Sequence, residues 1–449
     1  MITVVGIDGS PLSPRAEAAL ASATLVVGGR RHLAALPTPA TVGGGPTGGE
    51  PGGAGDRAGP GVAPGARMVA LGELSPALDA LAAHEGDAVV LASGDPGFFG
   101  VVRALRERGL PATVLPAVSS VALAFARAGL PWDDAAVVSA HGRDPRPAVN
   151  VCRAYPKVAV LTGPGAGPAQ IAAALAGWDR RLVVCEHLGS AAERVIECSP
   201  ADAASRTWAD PNVVLVLAGP ETSEDRHGPA PATDGTSVVD GVNGASWLWP
   251  RPASPAAPGT AGGWALDEEQ FDSRDAVITK AEVRALALAR LGPAPGTLVW
   301  DVGAGSGSVG VECARFGAAV IAVERDRRRC ERIRANAQRH FVDVRVVPGE
   351  APGALDGLPA PDVAFVGGGG PAVAGAVAAR RPARIVVALA AIERAGDTHA
   401  ILTAAGYAVE GTLLQAARFA PLPGDVHRLA ATNPVFLVWA TARHQDGPS

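Results

Sequence analysis

The stretch VWDVGAGSGSVGVECA, residues 299–314, sets three glycines at alternating positions between an apolar run and an amphipathic one. That order reads as strand, glycine loop and helix, and the same rhythm continues on both sides. Residues 279–291, TKAEVRALALARL, carry Val283, Leu286, Leu288 and Leu291 at helical spacing. After the glycines come a helix over 308–316, strand AVIAVE, a helix over 327–339, strands VRVVP and DVAFVG, a helix near 371–379 and strand RIVVAL. Alternation of this kind predicts a doubly wound parallel sheet. Two apolar runs, 407–420 and 434–440, bracket PLPGDVHRL and predict a closing antiparallel hairpin.

At 449 residues the chain is too long for one ordinary domain. Two stretches cannot build a core. Residues 38–67 hold almost no large apolar side chain and read as a flexible insertion. Residues 223–263 are similar apart from Trp247 and Trp249, which are expected to dock on a neighbouring surface. Periodic sequence resumes on either side of the second stretch. The expected organisation is therefore an α/β domain over 1–220, a linker over 221–264 and a second α/β domain over 265–449. In the first, strands are expected near 2–7, 88–92, 112–115, 158–161, 181–185 and 212–218, with helices between them. Each half is expected to fold and work without the other.

The net charge of −5 and a pI near 6 argue against a nucleic-acid surface or a polybasic membrane patch. Cys152, Cys185, Cys198, Cys313 and Cys330 form no CxxC pair, which fits neither a disulfide framework nor a zinc ligand set and suits a reducing cytosol. Met1 runs straight into ITVVGI, which does not read as a signal peptide, and no apolar run approaches the ~20 residues of a membrane span. A soluble cytoplasmic protein without a metal is the expectation.

The glycine loop narrows the ligand. Gly305 to Gly310 satisfies GxGxxG, but no lysine follows, so a Walker-type phosphate cradle is ruled out. The better alignment is Asp301-x-Gly303-x-Gly305-x-Gly307, with Ala304 and Ser306 between the glycines. An acid leading three glycines suits a cofactor whose amino-acid end lies over the loop: Asp301 meets an ammonium and the glycines admit close backbone approach. Glu324, ending AVIAVE, is placed to hold a ribose diol. These residues favour S-adenosylmethionine, while a nicotinamide dinucleotide and a purely structural turn remain open. GEAP at 349–352, with Glu350 and Ala351, follows the next strand, where an adenine edge would be read. FVGGGG at 365–370 ends the fourth strand, which suggests a substrate-facing role for Gly367 and Gly368.

In order, ITKAEVRALAL, WDVGAGSGSVGVECA, VPGEAP and DVAFVGGGG resemble the C-terminal half of the precorrin-6Y C5,15-methyltransferase (decarboxylating) family of the cobalamin pathway. VVGIDGS, LASGDPGFFG, PAVSSVALAFARAGLPWDDAAVVSAHGR and VVCEHLGS resemble the tetrapyrrole methylase domain that precedes it in the fused enzyme. The resemblance covers nearly all of the chain outside the two low-complexity stretches. It implies a tetrapyrrole methylase-type α/β domain followed by a Rossmann-like methyltransferase domain. It also implies cofactor contacts at Thr279, Gly303 to Gly307, Glu324 and Ala351 in the second half, and at Gly94, Asp95, Pro96, Ser119 and Ser120 in the first. Gly6, Asp8 and Gly9 occupy the first-strand loop, where the wider tetrapyrrole methylases often have Gly-x-Gly-Pro-Gly; the proline is missing here.

By the same resemblance the reaction is methylation of precorrin-6B at C5 and C15 with two S-adenosylmethionine molecules. With decarboxylation of the ring C acetate, the product is precorrin-8X. The first half would serve C5 and the second C15 and the decarboxylation. Lys280, Arg284, His427 and Arg428 are candidates for anchoring the substrate carboxylates, and no general acid or base is assigned. A homo-oligomer is expected. The rival readings are a nicotinamide-dependent reductase of the same pathway and a non-catalytic cofactor sensor.

Overall fold

The computed structural model describes residues 1–36, 61–71, 74–98, 100–219, 263–273 and 278–443. Trp247 and Trp249, most of 38–67 and most of 223–263 lie outside the described residues. The packing divides the chain into two compact units. One holds Met1–Trp132, Val183–Ile196 and Trp208–Val214; the other holds Asp133–Leu182, Glu197–Thr207 and Leu215–Ser449.

The N-terminal half contains two five-stranded sheets. In the first, β1 (Ile2–Ile7), β2 (Leu25–Gly28), β3 (Arg67–Ala70), β4 (Ala88–Ser93) and β5 (Ala112–Leu115) lie in the order β3-β2-β4-β1-β5, all parallel. β1 and β4 are near-continuous apolar runs, as strands covered on both faces must be. The outermost, β3, is mostly exposed and was not among the expected strands. The second sheet runs β6-β7-β10-β8-β9, built from β6 (Ala136–Ser139), β7 (Lys157–Leu161), β8 (Arg180–Glu186), β9 (Arg194–Cys198) and β10 (Asn212–Ala218).

The C-terminal half is the doubly wound sheet its rhythm predicts. Its strands are β11 (Leu298–Val302), β12 (Ala319–Glu324), β13 (Arg345–Pro348), β14 (Val363–Val366), β15 (Arg384–Leu389) and β16 (Tyr407–Leu414), with the last, β19 (Val435–Ala442), beside β16. The order is β13-β12-β11-β14-β15-β19-β16, parallel as far as β15 and antiparallel at β19. Alternate residues serve two cores: Leu298, Trp300 and Val302 face one, Val299 and Val320 the other. Helix Ala281–Leu291 buries Val283, Ala287, Leu288 and Leu291 on the second core. Helix Ile392–Ala404, between β15 and β16, was not expected.

The apolar run 407–420 is two strands rather than one. After β16 the chain turns into a separate ribbon of β17 (Ala417–Leu422) and β18 (Val426–Ala431), then returns as β19. Leu414 pairs with Val435, and Leu389 pairs with Phe436. The ribbon therefore leaves the sheet at its carboxyl edge, the edge that carries the glycine loop.

Val62, near the end of the first Gly/Pro-rich stretch, packs with Val5, Leu20, Val26 and Leu91. Removing much of 38–58 should leave the melting temperature unchanged, because that composition offers nothing to bury. Val62→Ala should cost about 1–3 kcal/mol in chemical denaturation. An unchanged midpoint for Val62→Ala would remove it from the core.

Candidate functional site

The C-terminal site is built at the point where strand order reverses, between β11 and β14. Both strands end in glycines, and the two loops meet there. Gly303 has φ +70°, and a Cβ on it would lie 2.7 Å from the Gly368 nitrogen. Gly307 has φ +78° and would meet Ile333 at 2.9 Å. Packing within the protein therefore demands glycine at these two positions before any ligand is considered. Gly305, with φ +60°, donates its N–H to Glu324 Oε2 at 2.9 Å.

Glu324 is thus part of the loop's frame. Its other oxygen accepts the Asp326 N–H at 3.0 Å. A carboxylate held by two backbone donors has a fixed direction at the end of β12 and retains acceptor capacity for a further donor. Asp301 is in a different position. It is 1% exposed; Oδ2 accepts the Gly310 N–H at 2.9 Å, and Oδ1 has no hydrogen-bond partner. Burial pushes its pKa up to about 7; the Gly310 N–H opposes this and the Glu324 charge adds to it. Ser306 Oγ, also buried, is likewise unpartnered. Orphaned buried acceptors beside a loop of positive-φ glycines fit a ligand bearing a cationic donor. Glu350 is exposed and paired with Arg325 at 2.9 Å, while Ala351 packs on the first core.

Sequence reasoning missed the strap that covers this loop. Glu312, in the helix after the glycines, accepts the N–H groups of Ala265 (2.6 Å) and Leu266 (3.0 Å) and pairs with Arg284 Nε. The Arg284 guanidinium also donates to the carbonyls of Leu266 and Thr279 and stacks 4.9 Å from the Phe271 ring. Arg284 is fully buried, so it positions Thr279 and cannot anchor a substrate carboxylate. Its spacing was the available signal: Arg284 shares a helical face with Ala287, Leu288 and Leu291. Asn336 completes the strap, donating to the Ser306 carbonyl at 2.9 Å and bonding both backbone groups of Asp272.

The ribbon is tied to the same strap. Arg418 donates a bidentate pair of hydrogen bonds to Glu268 (2.6 and 2.9 Å) and another to Glu282 (2.8 and 2.7 Å). Glu268 also accepts the first N–H of the Thr279-proximal helix, from Ala281, at 2.8 Å. Arg418 holds the Glu268 carboxyl down at about 2, against the effect of burial. Lys280, half-buried beside Thr279, adds to that effect. His427 and Arg428 are exposed on β18, His427 edge-on to Phe419 at 6.0 Å.

In the N-terminal half three strand ends converge. A Cβ on Gly6 would lie 2.3 Å from the Gly94 carbonyl and 2.6 Å from the Ala117 nitrogen. Asp8 accepts the Ser10 N–H at 3.0 Å and the Val118 N–H at 3.1 Å, joining the loops after β1 and β5. Burial opposes its charge, but donors from Ser10 and Val118 outweigh it and keep the carboxyl below the usual range. The Asp8 side chain thus braces a loop from which the proline is missing. Gly94 has φ +61°, Asp95 caps its own turn through the Gly97 N–H at 2.8 Å, and Pro96 is buried. Ser119 caps helix Ser120–Ala128 through the Ala122 N–H at 3.1 Å, and Ser120 is half-buried behind it. Gly9 and Gly189 touch backbone to backbone. Next to Gly189 an open cavity of about 440 Å³ is lined by His187, Ala191, Ala192, Glu193, Arg194 and Ala209. None of Gly94 to Pro96, Ser119 or Ser120 lines it.

Two family models divide the chain. Residues 1–204 match tetrapyrrole (corrin/porphyrin) methylases, and residues 269–443 match the precorrin methyltransferase domain. The chain is therefore a methyltransferase of two different kinds in tandem. It is 35% identical over 385 residues to a precorrin-6Y C(5,15)-methyltransferase [decarboxylating] of Sinorhizobium sp., covering 82% of this chain and 78% of that one. It belongs to that family. It is also 30% identical over 226 residues to a cobalt-precorrin-7 C(5)-methyltransferase of Salmonella typhimurium, covering 48% of this chain and 98% of that one. A solved precorrin-6Y C5,15-methyltransferase structure from Geobacter metallireducens is 30% identical and covers 39% of this chain and 97% of its own, with a TM-score of 0.37. Membership of a methyltransferase family sets aside the nicotinamide reading of the glycine loop.

Two predictions follow from the charges. A carboxyl with a raised folded pKa favours folding fully below its unfolded value near 3.8, and the benefit is lost as pH rises through about 7. Ligand-free Asp301→Asn should therefore melt no lower than the parent at pH 8 and lose its relative advantage progressively as pH falls from about 7 toward 3.8. A lower melting temperature at pH 8 would show that Asp301 is not a buried, under-satisfied charge. Glu268 has the opposite sign: its contribution is present above about 4.5 and fades as pH falls through about 2. Arg418→Met should lower amide protection in 417–431 at pH 7 and abolish the acid dependence of that protection, taken relative to intrinsic exchange, between those values; unchanged protection would show the ribbon is held otherwise.

Proposed function

We propose that the two halves hold one S-adenosylmethionine each and act on one tetrapyrrole. On this reading the chain methylates precorrin-6B at C5 and C15 and removes carbon dioxide from the ring C acetate, giving precorrin-8X. The observation that carries it for the C-terminal half is the buried Asp301 Oδ1, which lacks a donor beside three positive-φ glycines. An ammonium there would supply the missing donor. The frame of Glu324 would take the ribose hydroxyls, and Ala351 would border the adenine. In the N-terminal half the convergence of Gly6, Gly94 and the Ser119 loop supports a second, separate site.

S-adenosylmethionine supplies an electrophilic methyl when bound. What the residues contribute is alignment: fixed backbone loops hold the donor so that a nucleophilic ring carbon meets it in line, and no strong base is required. Lys280, His427 and Arg428, with the backbone of Gly367 and Gly368, would meet the anionic macrocycle. The N-terminal domain, 1–220, serves C5, and the C-terminal domain, 265–449, serves C15 and the decarboxylation, with 221–264 joining them. Among the described residues no helix is long and apolar enough to cross a membrane. A cytoplasmic homo-oligomer is part of the proposal; sedimentation equilibrium tests the oligomer.

The decisive experiment is incubation with precorrin-6B and labelled S-adenosylmethionine, counting methyl groups and carbon dioxide by mass spectrometry. Two methyls and one carbon dioxide are expected. Gly305→Val puts a β-branched residue at φ +60° and should abolish C15 methylation and decarboxylation, while C5 methylation of a suitable substrate survives. Asp95→Ala should give the complement, one methyl added and carbon dioxide lost. Loss of both methylations in each folded variant would refute two separate sites.

A further inference from the structure

Residues Asp133–Leu182 pack in one compact unit with the C-terminal sheet, and the contact is specific. Asn150, in helix Arg146–Ala154, is almost fully buried and donates to the Gly296 carbonyl at 3.0 Å and to Asp362 Oδ2 at 3.1 Å. That same Asp362 oxygen accepts the Leu298 N–H at 2.7 Å, so one carboxylate ties helix and strand. Arg180, with a side chain 1% exposed, donates to the carbonyls of Cys152 (2.8 Å) and Arg153 (2.6 Å) at the end of that helix. It reaches across to Asp343 at 2.7 Å. Trp178 lies inside the core formed by Leu298, Trp300 and Ile321. Two glycines admit the approach: a Cβ on Gly317 would lie 2.3 Å from the Tyr155 hydroxyl, and one on Gly296 would lie 3.3 Å from Pro147.

Gly296, Gly317 and Asp343 lie two residues before β11, β12 and β13, and Asp362 lies directly before β14. They form the amino edge of the sheet, the opposite edge from the glycine loop. We propose that this edge is a built docking face for the tetrapyrrole methylase half, strong enough to keep the two halves associated when the chain between them is cut. It carries two matched polar pairs, Asn150 with Asp362 and Arg180 with Asp343. An amino edge that met only water would need none of these partners and would not bury an indole from outside its own sheet. The inference stands independently of which substrate the sites take.

The test places a protease recognition sequence between residues 223 and 262 of the full chain and cleaves the purified protein. The two fragments should co-elute on size-exclusion chromatography at micromolar concentration and register as one complex in native mass spectrometry. Asp343→Lys opposes Arg180 and should raise the dissociation constant of the cleaved pair by about tenfold or more, with circular dichroism of the uncut chain unchanged. Hydrogen exchange of the uncut parent gives a second readout: amides of 146–154 should be as protected as those of β11. Separation of the parent fragments on cleavage would overturn the proposal, as would fast exchange across 146–154. Unchanged affinity in Asp343→Lys would remove the Arg180 pair from the interface.

Discussion

The Glu312 carboxylate determines much of the C-terminal half. It is fully buried on the helix that leaves the glycine loop, among Val309, Val311 and Cys313. A charge there without partners would be strongly destabilising, by about 3–5 kcal/mol where one member of a buried pair is lost. Its partners are the N–H groups of Ala265 and Leu266 and the Arg284 guanidinium. Satisfying it therefore requires the incoming chain to cross the glycine-loop helix and Arg284 to point inward. Arg284 then holds the Thr279 carbonyl, and the next turn of the same strap offers Glu268 to the ribbon through Arg418. One buried acid thus links the domain entry, the residue before the first helix and the element that rises over the carboxyl edge.

The C-terminal architecture could be read because its signals are long and periodic. Helix Arg327–Arg339 and strands β12 and β15 fall where the pattern puts them, since both faces of the sheet are covered and the apolar runs are unbroken. Strands β3 and β9 could not be read for the opposite reason: they are short and mostly exposed, so neither alternation nor an apolar run marks them. Helix Ile392–Ala404 buries only Thr398 and Leu402, too little to leave a stripe. The turn between β16 and β17 hides inside an apolar run because strands in different sheets share one composition.

Site chemistry was only partly visible for a related reason. A glycine pattern reports positive φ, and positive φ has two uses. Gly303 and Gly307 serve contacts inside the protein, with Gly368 and Ile333, while Gly305 presents its N–H to Glu324. Spacing alone cannot separate these uses. Nor can it distinguish an arginine that anchors a ligand from one that neutralises a buried acid; Arg284 and Lys280 are near neighbours, and only the first is sealed in the core. Ser119, likewise, is needed as a helix cap whatever else it meets.

A parallel sheet has two unlike ends, and this chain uses both. At the carboxyl ends of β11 and β14 the backbone turns outward through glycines and leaves acceptors such as Asp301 Oδ1 without protein donors. At the amino ends the two carboxylates of the docking face have protein partners: Asp362 has Leu298 and Asn150, Asp343 has Arg180. Satisfied polar groups give a rigid, specific contact, whereas unsatisfied ones retain affinity for something that arrives later. The polarity of the sheet thus separates what must stay fixed from what must exchange.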